Sequence, residues 1–537
     1  MTTLCYLVVF YSVVGAAIAA PAAIAHMRTE YLENPLGLDT HAPRFSFQVV
    51  AAAAARVETY TLDVFNAAAA PKSNPVWTSG KVRSAVTHNI RYGTAGAMET
   101  TAPAVPLKSG HRYTWIARAT VTTTAVDGTK ATTTITSPKA TFSMGILNRS
   151  NWNAQFVGMA SGEVGVAPWF RKTFAMSKDT VTENAFLFVA SLGFCEVTVN
   201  GNAVTVNGEE AVLLPSISYL PSRILYRTYD VGPLLRPGGN NTIGLWASAG
   251  WADYMSFAWA IPSQWKKAPL VMAELRVGDI VLAATDAEWE CRQSTTSRLG
   301  NWGNGGFGGD LLDLSLAVPG WDTPEGKSED EVSSRLAWET ATVYPIASNM
   351  TISADVMEPT VKHSRVSAVS VAASGLSFTS KNYTVIMSEL YTGWFEISNL
   401  HAPPHSTIQF YVSTTSGVAS EWSMVDALTL DASGVGNFRM RFSYHEIHYI
   451  VIEGLSAPPE PRDVTGWRLS IGLTRTGAFD SSNSLLNRIY NTTVNNYLGL
   501  TTGGQTVDCP HRERRGYGGA RAATVGNGGC DPMWRRL

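Results

Sequence analysis

The stretch that decides the fold class reads Tyr-Thr-Trp-Ile-Ala-Arg-Ala-Thr at residues 113–120. Apolar or small side chains alternate there with mostly polar ones, which is typical of a β-strand with one buried face. Asp127-Gly128 follows as a hairpin turn, and a second Thr-rich strand returns after it. A glycosylated, low-complexity stalk is the alternative. The alternation and the interleaved Trp115 favour a folded strand pair, and thus a small β-sandwich over residues 26–146.

The same texture continues to about residue 472. Residues 194–199 alternate apolar and polar side chains, and Asn200-Gly201 forms a second probable hairpin turn. Further strands are predicted around Tyr383–Ser388 and Thr407–Ser413. The sequence therefore predicts a mainly β fold of tandem β-sandwich domains.

The pattern changes after residue 472. Apolar and aromatic residues then recur at helical spacing, with Ser482 or Asn483 as the N-cap, and the recurring positions are Leu486, Tyr490, Val494, Tyr497 and Leu498. A helix after so much β-structure marks the start of a different domain.

Composition excludes several classes of protein. The chain has 537 residues, 45% of them hydrophobic and 16% charged, which allows several cores. A formal net charge of −2 gives no electrostatic case for nucleic acid. The 5 cysteines are too few and too scattered for a disulfide scaffold or a zinc site, and no cofactor or metal is predicted.

The first 25 residues stand apart. An uncharged apolar run from Leu4 to Ile18 precedes the small-residue triplet Ala23-Ile24-Ala25, which predicts a cleaved secretory signal peptide. The alternative is an anchor helix that stays in the membrane. We expect cleavage, a secreted or extracytoplasmic protein, and no membrane association afterwards.

Tryptophan is concentrated between residues 150 and 345. Exposed aromatic faces can stack on sugar rings, but core packing is the commoner role of a tryptophan. The residues in question are Trp246, Trp251, Trp259, Trp265, Trp302 and Trp321. The Gly-rich run 303–309 lacks the strand–loop–helix context of a phosphate-binding loop.

The segment with the most chemistry runs Asp508-Cys509-Pro510-His511-Arg512-Glu513-Arg514-Arg515, followed by Gly-Tyr-Gly-Gly to residue 519. Paired carboxylates suit proton transfer at a glycosidic oxygen. Arginines hold carboxylates and sugar hydroxyls by forked hydrogen bonds, and glycines allow close approach of the backbone. An ordinary charged loop is the alternative reading of the composition alone.

The order of these residues resembles the motif of α-L-rhamnosidases, in its form with the shorter spacing. Upstream segments resemble the same family in sequence order. They are Asn34-Pro35-Leu36-Gly37, Pro43-Arg44-Phe45-Ser46, Trp77-Thr78-Ser79-Gly80, Phe170-Arg171-Lys172, Tyr229-Asp230-Val231, Phe442-Ser443-Tyr444 and the helix around Leu486–Tyr490.

The resemblance implies a domain organisation. After the signal peptide (1–25) it gives a fibronectin-like β-sandwich (26–146) and an accessory carbohydrate-binding-like β-sandwich (150–345). A second rhamnosidase-type β-domain (346–472) and the first helices of an (α/α)6 catalytic barrel (473–519) follow, and residues 520–537 form an aberrant tail.

The resemblance also implies an activity, namely hydrolysis of terminal α-L-rhamnose from glycosides with inversion. An inverting enzyme needs one carboxylic acid to protonate the leaving oxygen and a second carboxylate to activate water. Glu513 matches the family's general acid, while Asp508 and Arg512 match residues that hold the sugar. The implied partners are rhamnose-containing glycosides or polysaccharides.

Two departures from the family pattern lead us to expect a truncated, inactive form. Ala520 stands where the family has Asp, and Arg521 to Leu537 resemble nothing in the family. The family's general base lies further downstream in the barrel. A frameshift, a pseudogene or a faulty gene model is expected, with a short regulated isoform as an alternative. The rival functions are a non-catalytic carbohydrate-binding protein and a surface adhesion protein built from β-sandwiches.

Overall fold

The computed structural model describes residues 22–68, 73–94, 102–160, 165–206, 208–220, 222–253, 269–300, 308–326, 337–374, 382–511 and 514. Within these ranges the chain is mainly β with a single α-helix, as the sequence predicts. The chain divides into two compact units. The first comprises the residues up to Asn34 with Ala42–Pro106 and Tyr113–Phe142, and the second comprises Pro35–His41, Leu107–Arg112 and Ser143–Leu537.

The first unit is built from two sheets. Its strands are β1 (Ala23–Thr29), β2 (Arg44–Val50), β3 (Ala54–Asn66), β4 (Trp77–Thr78), β5 (Ile90–Arg91), β6 (Arg112–Thr124), β7 (Lys130–Thr136) and β8 (Ala140–Ser143). One sheet has the order β1-β2-β5, and the other has the order β4-β3-β6-β7 with β8 paired to β6. Aromatic rings fill the core, and the ring centroids of Phe45 and Trp115 lie 5.0 Å apart.

The strand predicted at residues 113–120 and its Thr-rich partner after the Asp127-Gly128 turn are confirmed. Tyr113, Trp115, Ala117 and Ala119 are all buried on β6, which pairs antiparallel with β7. At the turn between these strands, Gly128 has a φ of +84°, a left-handed conformation that favours glycine. Burying every second residue is what stabilises one face of this hairpin.

The predicted cleavage triplet lies at the start of β1. Ala23, Ile24 and Ala25 pair with Val50, Val49 and Gln48 of β2, and Ile24 is buried. Cleavage after Ala25 would therefore remove the first three residues of a paired strand. The signal peptide itself stays a prediction, since residues 1–21 lie outside the described ranges.

The second unit contains the remaining strands. They are β9 (Val157–Gly158), β10 (Val166–Ala175), β11 (Ala185–Leu192), β12 (Phe194–Val199), β13 (Asn202–Ala203), β14 (Ala211–Val212), β15 (Arg223–Asp230), β16 (Asn240–Ser248), β17 (Leu270–Val277), β18 (Ile280–Ala284), β19 (Glu290–Arg298), β20 (Asp310–Asp313), β21 (Glu339–Thr340), β22 (Thr342–Val343), β23 (Thr351–Ala354), β24 (Thr360–Ala373), β25 (Asn382–His401), β26 (Thr407–Ser413), β27 (Val425–Thr429), β28 (Val435–Arg439), β29 (His445–Glu453), β30 (Val464–Ile471), β31 (Thr501–Thr502) and β32 (Gln505–Thr506).

These strands form a seven-stranded sheet, a fifteen-stranded sheet and a two-stranded ribbon. The seven-stranded sheet has the order β22-β9-β17-β11-β15-β23, with β18 paired to β17. The fifteen-stranded sheet has the order β13-β12-β16-β10-β19-β20-β27-β26-β29-β25-β30-β24-β14, with β21 on β19 and β28 on β25. The ribbon pairs β31 with β32.

The large sheet runs through both regions that the sequence assigned to separate β-domains, 150–345 and 346–472. The two regions meet where β20 pairs in parallel with β27 and where β14 pairs antiparallel with β24. One cluster of buried side chains also draws on both regions, for example Phe188 and Trp394. The domain boundaries remain predictions, but the β-structure on the two sides of residue 345 shares one sheet and one core.

The sequence placed several elements correctly. The Asn200-Gly201 turn connects β12 to β13, and both residues have positive φ angles, +54° and +79°. The stretch predicted at 407–413 is β26, and Tyr383–Ser388 lies within β25.

Helix α1 spans Ser484–Leu500 and is capped by Asn483, whose side chain accepts hydrogen bonds from the backbone N–H groups of Leu485 at 2.9 Å and Leu486 at 3.4 Å. Of the five positions predicted to face a core, only Val494 and Leu498 are buried. Leu486 is 46% exposed, because only the second half of the helix packs on β25 and β30.

The cap gives a direct test. We expect Asn483→Ala to destabilise α1 by about 1 kcal/mol, because two backbone N–H groups lose their acceptor. Amide hydrogen exchange in the first turn of α1 should accelerate on the order of fivefold. Ser482→Ala is the matched control and should leave exchange unchanged. Equal effects of the two variants would show that Asn483 is not the cap.

Candidate active-site segment

The ribbon that leads from α1 into the charged motif is held by the β-structure. Gly503 and Gly504 have φ angles of +59° and +78° and form its turn. The N–H of Gly503 donates to Thr360 Oγ1 at 2.9 Å, and its carbonyl accepts from the N–H of Ile217 at 2.8 Å. Val507, which precedes the motif, is buried and donates its N–H to the Leu500 carbonyl at 2.9 Å. The backbone just before the motif is therefore held in place by hydrogen bonds.

The structure describes the motif in part. Asp508 is half-buried, and its charge acts on the nearby phenol of Tyr444. Burial is the main cause that raises the pKa of Tyr444, and Asp508 adds to it, while Arg514 and a hydrogen bond with Thr502 oppose it. Arg512 and Glu513 lie outside the described residues. The roles of Asp508, Arg512 and Glu513 therefore stay predictions.

Arg514 is the best-anchored residue of the motif. It is 2% exposed and has a left-handed backbone with a φ of +53°. Its Nε donates to the Pro510 carbonyl at 2.7 Å, and its Nη2 donates to the Tyr444 carbonyl. The guanidinium carbon lies 4.4 Å from the centre of the Tyr444 ring, which adds a cation–π contact. Arg514 thus ties the C-terminal end of the described motif to the residue just before β29.

A second contact ties the motif down just before its undescribed pair of residues. His511 Nδ1 lies within ion-pair distance of Glu446 Oε2 on β29. Both side chains are largely buried. Residues 512 and 513 therefore lie between two residues that contact the same short stretch, Tyr444–Glu446.

Behind Arg514 lies a buried polar network. His445, fully buried, contacts Arg514 Nη2 through Nδ1 at 3.4 Å and Asp426 Oδ2 through Nε2 at 2.9 Å. Asp426 Oδ1 accepts the backbone N–H of Asp310 at 2.7 Å. Asp310 Oδ2 in turn accepts the N–H groups of Arg441 at 2.6 Å and Phe442 at 2.9 Å. The network connects β20, β27 and β29 to the motif.

The two carboxylates of this network do not have equivalent surroundings. The pKa of Asp310 is raised to about 6, mainly by burial and then by the charge of Asp426, while the hydrogen bonds from Arg441 and Phe442 oppose the shift. Asp426 has His445 as its direct partner. Asp310 therefore takes up a proton in mildly acidic solution, next to a carboxyl group that is hydrogen-bonded to His445.

The described tryptophans of the 150–345 region pack against protein. Trp169 and Trp321 stack with centroids 4.8 Å apart, and Trp251 is 1% exposed. Arg441 covers the ring of Trp246 at 3.8 Å. These contacts favour core packing, while Trp259, Trp265 and Trp302 lie outside the described residues. Sugar binding by this region stays a prediction.

A cavity of about 230 Å³ lies beside Trp246 and Trp321. Four charged side chains of its lining pair with one another: Glu196 pairs with Arg441 and with Arg439, the latter at 3.3 Å, and Arg439 reaches Glu210 at 3.0 Å. Among the described residues no group of three or more His, Cys, Asp and Glu side chains is placed to hold a metal ion. The described part of the chain also contains no helix that is long and apolar enough to span a membrane.

Three sequence models of α-L-rhamnosidase domains match this chain. They are the Rha78A-like N-terminal immunoglobulin domain over residues 24–148, the alpha-L-rhamnosidase N-terminal domain over 180–364, and the bacterial alpha-L-rhamnosidase 6 hairpin glycosidase domain over 474–526. The chain belongs to the α-L-rhamnosidase family. The resemblance seen in the ordered motifs is confirmed, and the family is one of glycoside hydrolases.

Comparisons with individual α-L-rhamnosidases also find similarity along most of this chain. One from Formosa agariphila is 24% identical over 527 residues, which cover 91% of this chain and 51% of that protein. The structure of the Dictyoglumus thermophilum α-L-rhamnosidase matches with a TM-score of 0.76 at 21% identity, covering 94% of this chain and 55% of that one. The Streptomyces avermitilis α-L-rhamnosidase, complexed with L-rhamnose, matches with a TM-score of 0.68 at 17% identity, covering 94% and 63%. These structures show a shared fold. The chain spans about half the length of the curated relatives it matches.

The residues that contact the α-L-rhamnosidase motif were not predicted from the sequence. Phe442-Ser443-Tyr444 was noted as resembling the family, but His445 and Glu446, which follow directly, were not. A histidine and a carboxylate that directly follow a segment resembling the family could have marked these positions as candidates for contact with the motif. Asp426 offered a weaker one, as a single carboxylate in the otherwise apolar run of residues 425–428.

Proposed function

We propose that the protein is an α-L-rhamnosidase-type glycoside hydrolase, which releases terminal α-L-rhamnose from glycosides with inversion, and that the 537-residue polypeptide by itself is inactive. One observation carries the proposal: the six-hairpin glycosidase model matches residues 474–526, the segment that contains the Asp508–Gly519 motif. The rival functions, sugar binding without catalysis and surface adhesion, have no observation in their favour. The domain implied for this segment is the start of an (α/α)6 barrel.

The resemblance to the family motif implies roles for three of its residues. Glu513 would protonate the glycosidic oxygen as the bond to the anomeric carbon breaks. Asp508 and Arg512 would hold the sugar hydroxyls, which fixes the ring against the acid. A second carboxylate, about 6.5–9.5 Å from the first, would activate the attacking water. Support for Glu513 comes from the order of the motif residues, since it follows Arg512 and precedes Arg514 as the general acid of the family motif does.

The substrates we propose are rhamnose-containing glycosides or polysaccharides. Support comes from the family and from the relative that is complexed with L-rhamnose. We further propose that the protein is secreted or extracytoplasmic, on the strength of the apolar run at residues 4–18.

The polypeptide of 537 residues gives the first test. We expect it to release no rhamnose from a chromogenic α-L-rhamnoside, because Ala520 stands where the family motif has a carboxylate and inversion depends on carboxylates. The purified polypeptide and its Glu513→Gln variant should give the same background rate. Release above that variant would contradict the expected inactivity and would support the hydrolase assignment.

A further inference from the structure

The stretch Tyr444–Glu446 contacts two residues of the motif, His511 and Arg514, which flank residues 512 and 513 in the sequence. Glu446 pairs with His511, while the Tyr444 carbonyl and His445 accept from Arg514. Consecutive residues of a strand are held by ladder hydrogen bonds, and β29 lies inside the fifteen-stranded sheet between β26 and β25. The motif is therefore fastened to a rigid part of the fold.

The hydrogen bonds of His445 have a fixed direction. A guanidinium only donates, so the contact with Arg514 requires a lone pair on His445 Nδ1. Nε2 then carries a proton and donates it to Asp426 Oδ2 at 2.9 Å. At 3.4 Å the bond from Arg514 is long, but the same nitrogen also donates to the Tyr444 carbonyl. His445 thus links a cation on the motif to an anion in the sheet.

Asp426 is itself held in place. Besides the ring of His445, it accepts the N–H of Asp310 at 2.7 Å. Gly309 approaches so closely that a Cβ there would lie 2.2 Å from Asp426 Oδ1. The carboxylate therefore has little freedom to follow His445 if the ring moves, which makes it a fixed anchor for the histidine.

We propose that His445 is a positioning residue, which holds Arg514 and thereby fixes the motif whose sequence contains the proposed proton donor, Glu513. The proposal rests on the proposed function in one respect, the role of Glu513 as proton donor. His445 is buried behind Arg514 and acts through it. A proton donor must lie within hydrogen-bond reach of the leaving oxygen, so loosening this attachment would misplace it.

The thiol of Cys509 reports the attachment without any substrate. It lies in the motif and is half-buried, whereas Cys195 and Cys291 are buried in the same compact unit. The experiment measures how fast N-ethylmaleimide labels each cysteine of the full chain, with peptide mass mapping to separate the sites. Three variants are compared with the original chain, namely His445→Leu, His445→Gln and the matched control His448→Leu on the same strand.

We expect His445→Leu to accelerate labelling of Cys509 by about tenfold or more, because local opening of the motif becomes easier. His445→Gln should stay within about threefold of the original rate, since its carbonyl can accept from Arg514 and its amide can donate to Asp426. His448→Leu should label as the original chain does. Labelling at Cys195 and Cys291 should stay slow in all variants.

Two results would overturn the proposal. Unchanged labelling of Cys509 in His445→Leu, or equal acceleration in the Leu and Gln variants, would show that the bonds of His445 do not hold the motif. Equal acceleration of Cys195, Cys291 and Cys509 would make His445 a core residue of the fold only. Because no sugar is involved, a failure of the hydrolase assignment would leave each of these outcomes readable.

Discussion

Glu513→Gln should reduce hydrolysis of an α-L-rhamnoside with a poor leaving group by about 10²–10⁴-fold, in a protein that joins this chain to a complete six-hairpin domain. Glutamine keeps the shape of the side chain but cannot give a proton to the glycosidic oxygen. A poor leaving group depends on that proton as the bond breaks, whereas an activated phenol leaves without much help. The measurement is kcat/KM for both substrates.

Glu209→Gln makes the same chemical change at an exposed carboxylate and should leave both rates unchanged. The diagnostic quantity is the ratio of the two losses caused by Glu513→Gln. If both substrates lose activity equally, Glu513 binds the sugar, and the role of proton donor belongs to another residue.

Asp310→Asn should change the pH dependence of stability. The folded pKa of Asp310 is raised from its ordinary 3.8 to about 6, mainly by burial and then by the charge of Asp426. A group whose folded pKa is raised contributes stability that is fully present below the unfolded pKa and lost as pH rises through the folded one. Between pH 4 and pH 7 the wild-type chain should therefore lose about 2–3 kcal/mol that the variant does not lose.

Chemical denaturation at a series of pH values, followed through the transition of the second compact unit, gives this difference. The free energy of unfolding of the variant, relative to that of the wild type, should be lowest at pH 4 and highest at pH 7. Asp313→Asn, on the same strand, is the matched control and should track the wild type. A difference between Asp310→Asn and wild type that stays constant over this range would contradict the prediction.

Local patterns were enough to predict much of the fold. Alternation and an Asp-Gly or Asn-Gly pair mark β6 and β12 and their turns, because period and turn chemistry are properties of a few neighbouring residues. The prediction of Ser482 or Asn483 as the N-cap rests on equally local chemistry. A cap needs only a side-chain acceptor two or three residues before the free N–H groups of the first turn. The family motif, read in order, identified the candidate site segment.

What the sequence could not predict depends on contacts between distant residues. Spacing alone made Leu486 a core position, yet the structure leaves it 46% exposed, because burial depends on what the helix meets. The network of Asp310, Asp426, His445 and Arg514 joins residues that are up to about two hundred positions apart. No local pattern encodes such a pairing, and the roles of Arg512 and Glu513 remain predictions.

The pairing of β20 with β27 limits how this protein can be recombined. Leu311, Leu312 and Asp313 lie opposite Ala427, Leu428 and Thr429, so a crossover near residue 345 would separate strands that share hydrogen bonds. The pairings of β14 with β24 and of β15 with β23 also cross this point, so a hybrid whose parents lacked matching edges would expose unpaired strands that are prone to aggregation. A library of chimeras should therefore place its crossovers elsewhere.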